Sequence, residues 1–443
     1  MNIQLSDHFD YKRLLRFVFP SIIMMVFTSV YGVVDGLFVS NFVGKTSFAA
    51  VNLVMPFIMI LGGVGFMLGT GGSALVAKTL GEGRRETANR YFTMMVYLTM
   101  ILGVLLSVIG IVFMRPISIL LGATDAMLTE CVVYGRTVLF FNTAFMLQNV
   151  FQSFLITAEK PKLGLWATVA AGLSNMVLDA LFIAGFHWGV AGAAFATGLS
   201  QCVGGILPLI YFLRPNRSLL RLTKTRLEGE VLLKACFNGS SELMSNISMS
   251  LVSMLYNFQL IRFSGENGVA AYGVLMYVQF VFVAVFIGDA IGSAPIVGYH
   301  YGAGNHGELK NMLRKSTVLM LVGGLLMTIF AEVLARPLAG IFVGYDAKLF
   351  AMTVHAFRLF AFSFFLAGMN IFASSFFTAL NNGGVSAATS FLRTLVFQML
   401  SVLILPVFFG IDGIWWAITV AEVLACLVSG IFLVTLRRKY HYM

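Results

Sequence analysis

Between residues 14 and 436 the chain is a succession of apolar stretches, each long enough to cross a bilayer, which takes about 20 residues of helix. They fall near 14–41, 48–77, 91–113, 132–157, 163–186 and 190–213, then near 236–261, 269–299, 316–335, 350–380, 386–409 and 413–436. Backbone amides inside hydrocarbon find no water to bond, so runs of this length are satisfied only as helices. The predicted fold is an all-α integral membrane protein with twelve transmembrane helices. Only 11% of the residues are charged, against about a quarter in water-soluble globules. The first apolar run is followed by eleven more and not by a small-residue cleavage site, so the N-terminus is expected to stay on.

The basic residues give the orientation. If the N-terminus is cytoplasmic, 21 lysines and arginines fall on the cytoplasmic side and only Lys45, Arg115, Arg262, Arg336 and Lys348 on the other. That asymmetry predicts both termini inside, in the inner (plasma) membrane. The formal charge of +10 is then topological, and its expected partners are anionic membrane lipids, not nucleic acid. Cys131, Cys202, Cys236 and Cys426 lie far apart and form neither a metal nor a disulfide pattern. "GGVGFMLGTGG", residues 62–72, lacks the spacing of a phosphate loop and suits helix packing. There is no Ser-His-Asp, metalloprotease or nucleotide-binding motif, so neither an enzyme nor a bound cofactor is expected.

Sliding the chain against itself by 221 residues pairs Gly44 with Gly265, Gly81 and Gly83 with Gly302 and Gly304, and Arg115-Pro116 with Arg336-Pro337. The same offset pairs Asp125 with Asp346, Thr157-Ala158 with Thr378-Ala379, and Gly189, Gly192 and Ala196 with Gly410, Gly413 and Ala417. One gap-free offset over so long a stretch argues a duplication. Six spans per half is an even number, so the halves are parallel and related by a pseudo-two-fold axis along the membrane normal, an arrangement that places a substrate path between them. The expected division is an N-terminal lobe (1–213), a cytoplasmic inter-lobe linker (214–235) and a C-terminal lobe (236–443).

The duplication is also a control. A position polar in one half and apolar in its twin is not demanded by the fold. Asp35, Asn175, Asp179 and Thr197 map to Tyr256, Val396, Leu400 and Ile418. Asp35, Asp179 and Thr197 each lie about seven residues from the outer end of their span, or about 10 Å deep at 1.5 Å per residue. Asn175 and Asp179 share one helix face. A carboxylate at such depth costs about 2.5–3.5 kcal/mol on insertion scales, and no lysine or arginine lies at that level in these spans to offset it. Two adjacent carboxylates with an amide oxygen and a hydroxyl make an all-oxygen cage for a hard cation such as Na⁺ or for a shared proton. The alternative is a hydrogen-bond cluster that only holds the lobe together.

In the second half, Glu242 and Asp289 map to Ser21 and Leu68 and are candidates for lining a central cavity; acids without matched bases favour cationic cargo. Pro20 removes a hydrogen bond from the first span, which makes a bend there plausible.

Pro20, Tyr31 and Asp35, with "LGEGRRETANR", "FQSFLITAEKPKLG", "NMVLD", "GVAGAAFATG" and "YGAGNHGELK" in this order and spacing, make the sequence resemble the multidrug and toxic compound extrusion (MATE) transporters over essentially its whole length. The resemblance implies two six-helix lobes around a cleft and export of amphipathic organic cations by cation-coupled antiport. It also implies a coupling site at Asp35, Asn175, Asp179 and Thr197 with a main-chain oxygen near Ala193, and a hinge at Pro20 linked to protonation. Cargo is expected near Tyr31, Glu242 and Asp289, H⁺ or Na⁺ as the coupling ion, and a monomer as the working unit. Another branch of the family couples through acids in the seventh and tenth spans; Glu242 matches the former, but the tenth offers Asn370 and no acid. Two further readings stand beside this one: a flippase for a lipid-linked or anionic amphiphile, which would rely on Arg393, and a scaffold or receptor that transports nothing.

Overall fold

The computed structural model describes residues 3–443, apart from the side chains of Leu37, Ser40, Asn41 and Lys45. The first six spans are α1 (Tyr11–Phe42), α2 (Lys45–Gly81), α3 (Arg85–Leu120), α4 (Asp125–Phe140 continuing as Asn142–Thr157), α5 (Pro161–Asp179 with a π-helical turn, Ala180–Gly185) and α6 (Gly189–Leu213). One helical run, Gly229–Gly302, holds the next two and divides at Gly265, whose φ of 65° and ψ of −148° are not helical; α7 is 229–264 and α8 is 266–302. There follow α9 (His306–Val343), α10 (Ala347–Ala361 continuing as Ser363–Ala379), α11 (Gly383–Phe391, a π-helical turn Leu392–Val396, then Phe397–Phe409) and α12 (Ile411–Thr435).

The helices overrun the apolar stretches; α3, for example, occupies 85–120 where the hydrophobic run suggests 91–113. Helical hydrogen bonding continues past the hydrocarbon boundary, which hydropathy alone does not see. For the same reason the linker is shorter than its expected 214–235, because α7 is already helical from Gly229. The linker lies along α3, where the amides of Arg221 and Thr223 donate to the Asn89 and Thr93 side chains at 2.9 Å and Arg90 pairs with Glu228 at 2.7 Å. Helix α1 runs unbroken through Pro20.

The duplication is written into the backbone. Gly44 and Gly265, Gly83 and Gly304, and Gly189 and Gly410 all have positive φ, a region where a Cβ is disfavoured. Both α4 and α10 bend midway, by 53° and 45°, at twin residues Phe141 and Phe362. Each bend carries an aromatic contact to the twin position on the last helix of its lobe, Phe141 with Phe195 and Phe362 with Trp416.

Packing differs at the two ends of the molecule. At the end bearing the termini one core is shared between lobes, with Leu14, Phe17, Val18 and Met24 of α1 against Phe286, Ala290 and Val297 of α8. Near the opposite end the cores are separate, one built from residues 39–194 and the other from 252–418. One tight approach between lobes is symmetric: Gly81 on α2 has no room for a Cβ against the Tyr299 carbonyl, and its twin Gly302 on α8 has none against the carbonyl of Lys78, the twin of Tyr299. Gly32, Gly36 and Gly273, nearer the opposite end, have nothing within 4 Å. The lobes therefore converge at the terminus-bearing side and stand apart at the other. Residues ahead of α1 reinforce the closure. Leu5 donates its amide to Glu159 in the first lobe at 2.7 Å, and Phe9 donates its own to Glu308 in the second at 3.0 Å.

Gly302→Ala should open this seam. Forcing a methyl group into a packed contact costs about 1–3 kcal/mol, and here only the closed arrangement bears it. A cysteine placed at buried Ser293, on the same helix, should then react faster with a polar thiol reagent applied to the terminus-bearing side by about 5- to 150-fold. Equal rates with glycine and alanine at 302 would contradict the role given to this contact.

Candidate functional site

Local sequence brings three helices of the first lobe together. Gly172 on α5 leaves space that the rings of Phe27 and Tyr31 occupy, so α1 lies directly against α5. Gly192 opens α6 to the α5 backbone; a Cβ there would be 3.0 Å from the Phe182 carbonyl oxygen. Between them, α5 loosens into its π-helical turn immediately after Asp179, a distortion often found at functional sites.

Asp35 of α1 points toward Asp179 and Asn175 of α5, and the two carboxylates are immediate neighbours. Asp179 and Asn175 are 0% and 2% exposed, while Asp35 is half-buried. Five oxygens here accept no hydrogen bond from the protein: Oδ1 of Asp35, Oδ1 of Asn175, both carboxylate oxygens of Asp179, and Oγ1 of Thr197 on α6. Ala193 is buried one turn before Thr197 on the same face of α6. Tyr134 of α4, fully buried, brings its hydroxyl to Thr197 beside both acids. Among the described residues no ion pair includes Asp35 or Asp179.

An unmade hydrogen bond on a buried polar group costs about 1–3 kcal/mol, and more when the group is charged. Five such oxygens in one spot, two carboxylates among them, repel each other unless positive charge is shared between them. A proton on one carboxyl would let it donate to the other, and a hard monovalent cation would accept electron pairs from several at once. The donor set fits either.

The residues expected to meet cargo are not gathered into one group. Tyr31 belongs with the acids: its ring packs on Gly172 and its hydroxyl reaches Gln148, one turn from Asp35. Glu242 is on α7 where that helix meets α2, its neighbours Leu243 and Asn246 lying beside Gly63. Asp289 is on α8 next to Gly288, which presses on Ser21 and Ile22 of α1 beside Pro20; its Oδ2 has no partner. Neither Glu242 nor Asp289 has a charged neighbour among the described residues. They face the lobe interface from different helices, apart from Tyr31, because the interface is made by α1, α2, α7 and α8 while Tyr31 turns inward to its own lobe. The glycines of residues 62–72 are packing residues, with Gly65 against Met146, Gly69 against Val150 and Gly71 against Gly239.

Tyr134 and Gln148 escaped the sequence reading. Their twins are His355 and Met369, so the same comparison of halves that picked out Asp179 marks Gln148, and Tyr134 more weakly.

The likeness to known proteins matches this architecture. The MatE family model matches residues 20–181 and again 243–404, one copy per lobe. The multidrug export protein MepA of Staphylococcus saprophyticus is 24% identical over 438 residues, covering 97% of this chain and 94% of that protein. Its namesake in Staphylococcus aureus is 23% identical over 435 residues, with the same coverage. Among solved structures, a MATE transporter in its straight conformation superposes with a TM-score of 0.92 at 25% identity, covering 99% of each chain. An outward-facing multidrug resistance MATE family transporter gives 0.92 at 24% identity, again over 99% of each, a likeness of fold. With two family matches falling on two symmetric lobes of a multi-pass helical membrane protein, the chain belongs to the MatE family of transporters.

Proposed function

We propose that this protein exports amphipathic organic cations by antiport against H⁺ or Na⁺, alternating between a cleft open on one side of the membrane and a cleft open on the other. The observation that carries this is the Asp35–Asp179 pair, two neighbouring carboxylates among unpartnered oxygens and without a basic neighbour. Asp35, Asn175, Asp179 and Thr197 hold the coupling ion, with Ala193 beside them; Tyr31 and Tyr134 carry hydroxyls to its edge. Bound positive charge removes the repulsion between the carboxylates, lets α1 and α5 close on each other, and so biases the lobes toward one opening. Glu242 and Asp289 line the interface between lobes and supply negative charge to a cationic cargo. The export activity in the name of the MepA relatives supports this reading.

The working unit is a monomer with an N-terminal lobe (1–213), a linker (214–235) and a C-terminal lobe (236–443). It sits in the plasma membrane with its termini in the cytoplasm, where the 21 basic residues meet anionic lipid. The seam at Gly81 and Gly302 is then the cytoplasmic gate, and the cleft faces outward. A flippase for anionic amphiphiles is less well supported, because Arg393, the cation it would use, is held by Glu422.

The test is export of ethidium from proteoliposomes under an imposed pH gradient and, separately, an imposed Na⁺ gradient, in wild type and in Asp179→Asn. Gradient-driven movement that the substitution sharply lowers is the expected result. Equal movement in both would rule out coupling at this site.

A further inference from the structure

The second lobe also buries a carboxylate, and it treats it differently. Glu422 on α12 is 3% exposed at its side chain and meets Arg393 of α11, itself 16% exposed, with Nη2 2.8 Å from Oε1 and Nε 3.0 Å from both carboxylate oxygens. Asn370 of α10 donates to Oε2 at 2.7 Å and to the Glu422 carbonyl at 2.9 Å, and Ser429 donates to the Asn370 oxygen at 3.4 Å. Arg393 sits in the π-helical turn Leu392–Val396. Both oxygens of this carboxylate are satisfied, whereas both oxygens of Asp179 are not.

The repeat shows that the two lobes differ here in a linked way. The twins of Arg393 and Glu422 are Gly172 and Gln201, so the first lobe lacks both the base and the acid, while Asn370 keeps its twin Asn149. Where the second lobe places a guanidinium, the first has the glycine against which Tyr31 and Phe27 pack. The residues matching those two rings in the second lobe are Val252 and Ser248, which are smaller.

We infer that Arg393 is a built-in counter-charge that takes the place of an exchangeable cation at Glu422, so that this buried acid of the second lobe adds no ion to the exchange in each cycle. This rests on the ion-coupled reading above. A guanidinium keeps its proton at any pH the protein meets, so it neutralises Glu422 permanently and moves with it. A carboxylate held this way has nothing to gain from the ion gradient. Arg393 is thus a positioning residue that keeps Glu422 out of the count of ions exchanged for each cargo molecule.

The experiment measures the steady-state ethidium ratio across proteoliposomes at fixed ion gradients with the membrane potential clamped at zero. Arg393→Lys keeps the fixed charge and should leave the ratio at its wild-type value. Arg393→Gln leaves Glu422 to draw its positive charge from solution on each cycle, so one further cation should exchange and the ratio should rise about tenfold for each tenfold ion gradient. Arg393→Gln/Glu422→Gln should return to the wild-type ratio. An unchanged ratio in Arg393→Gln overturns the inference. If that variant does not fold, cation uptake by the purified Asp35→Asn/Asp179→Asn protein decides. Uptake that Glu422→Gln does not alter supports the inference, and uptake that Glu422→Gln removes overturns it. Failure of the coupling reading itself has a separate signature, gradient-driven transport that survives in Asp179→Asn.

Discussion

Asp179→Asn is expected to lower gradient-driven export by about 5- to 150-fold, the span that follows from an allosteric coupling of about 1–3 kcal/mol between two sites. The substitution keeps the size of the side chain and removes one charge. Its new NH₂ group can donate to Asp35, so the amide supplies internally what the carboxylate must draw from solution. Stability separates coupling from mere scaffolding. Two adjacent carboxylates are a burden on the folded lobe, so relieving one should hold or raise the thermal unfolding temperature in detergent while export is lost. A cluster that only holds the helices together would instead lose stability in parallel with transport. Ethidium binding, which depends on the lobe interface, should stay close to wild type by equilibrium titration.

Glu422→Leu is expected to be the most destabilising of the simple substitutions, by about 3–5 kcal/mol, because it leaves the Arg393 charge inside the second lobe without its partner. The reverse truncation is milder. Arg393→Leu leaves a carboxylate that can take up a proton, an escape arginine does not have. Replacing both, as Arg393→Leu/Glu422→Leu, should recover most of the loss, since a buried ion pair is often matched by well-packed apolar groups. Urea or thermal unfolding of the four proteins closes the cycle. Additive losses in the double variant would mean that the two side chains act independently despite the 2.8 Å contact between them.

Sequence and structure agree most closely where the physical signal is periodic. Twelve apolar runs become twelve spans, and a 221-residue offset becomes paired left-handed glycines and paired bends. The bends themselves were hidden, because neither Phe141 nor Phe362 is a proline or glycine; each break coincides with an aromatic contact to another helix. In the same way, Asp35 and Asp179 could be singled out by their depth and their apolar twins. The π-helical turn beyond Asp179 could not, since no proline or glycine at its start marks it. Arg393 and Glu422 were visible as charges in separate spans, but their pairing is a fact of the packing of α11 and α12. Which way Tyr31 faces was not legible either, since its place in the first span says nothing of the packing against Gly172 that turns its ring toward the fifth helix.

The most direct test places spin labels at Leu120 and Tyr345, which are 86% and 83% exposed and lie in different lobes at the end away from the termini. The distance between them is measured in nanodiscs while pH is lowered or Na⁺ is added. In the otherwise wild-type protein the distribution should move toward shorter separations as the first-lobe acids acquire positive charge. In Asp35→Asn/Asp179→Asn it should no longer respond. A response of the same size in both proteins would place the ion sensor elsewhere in the molecule.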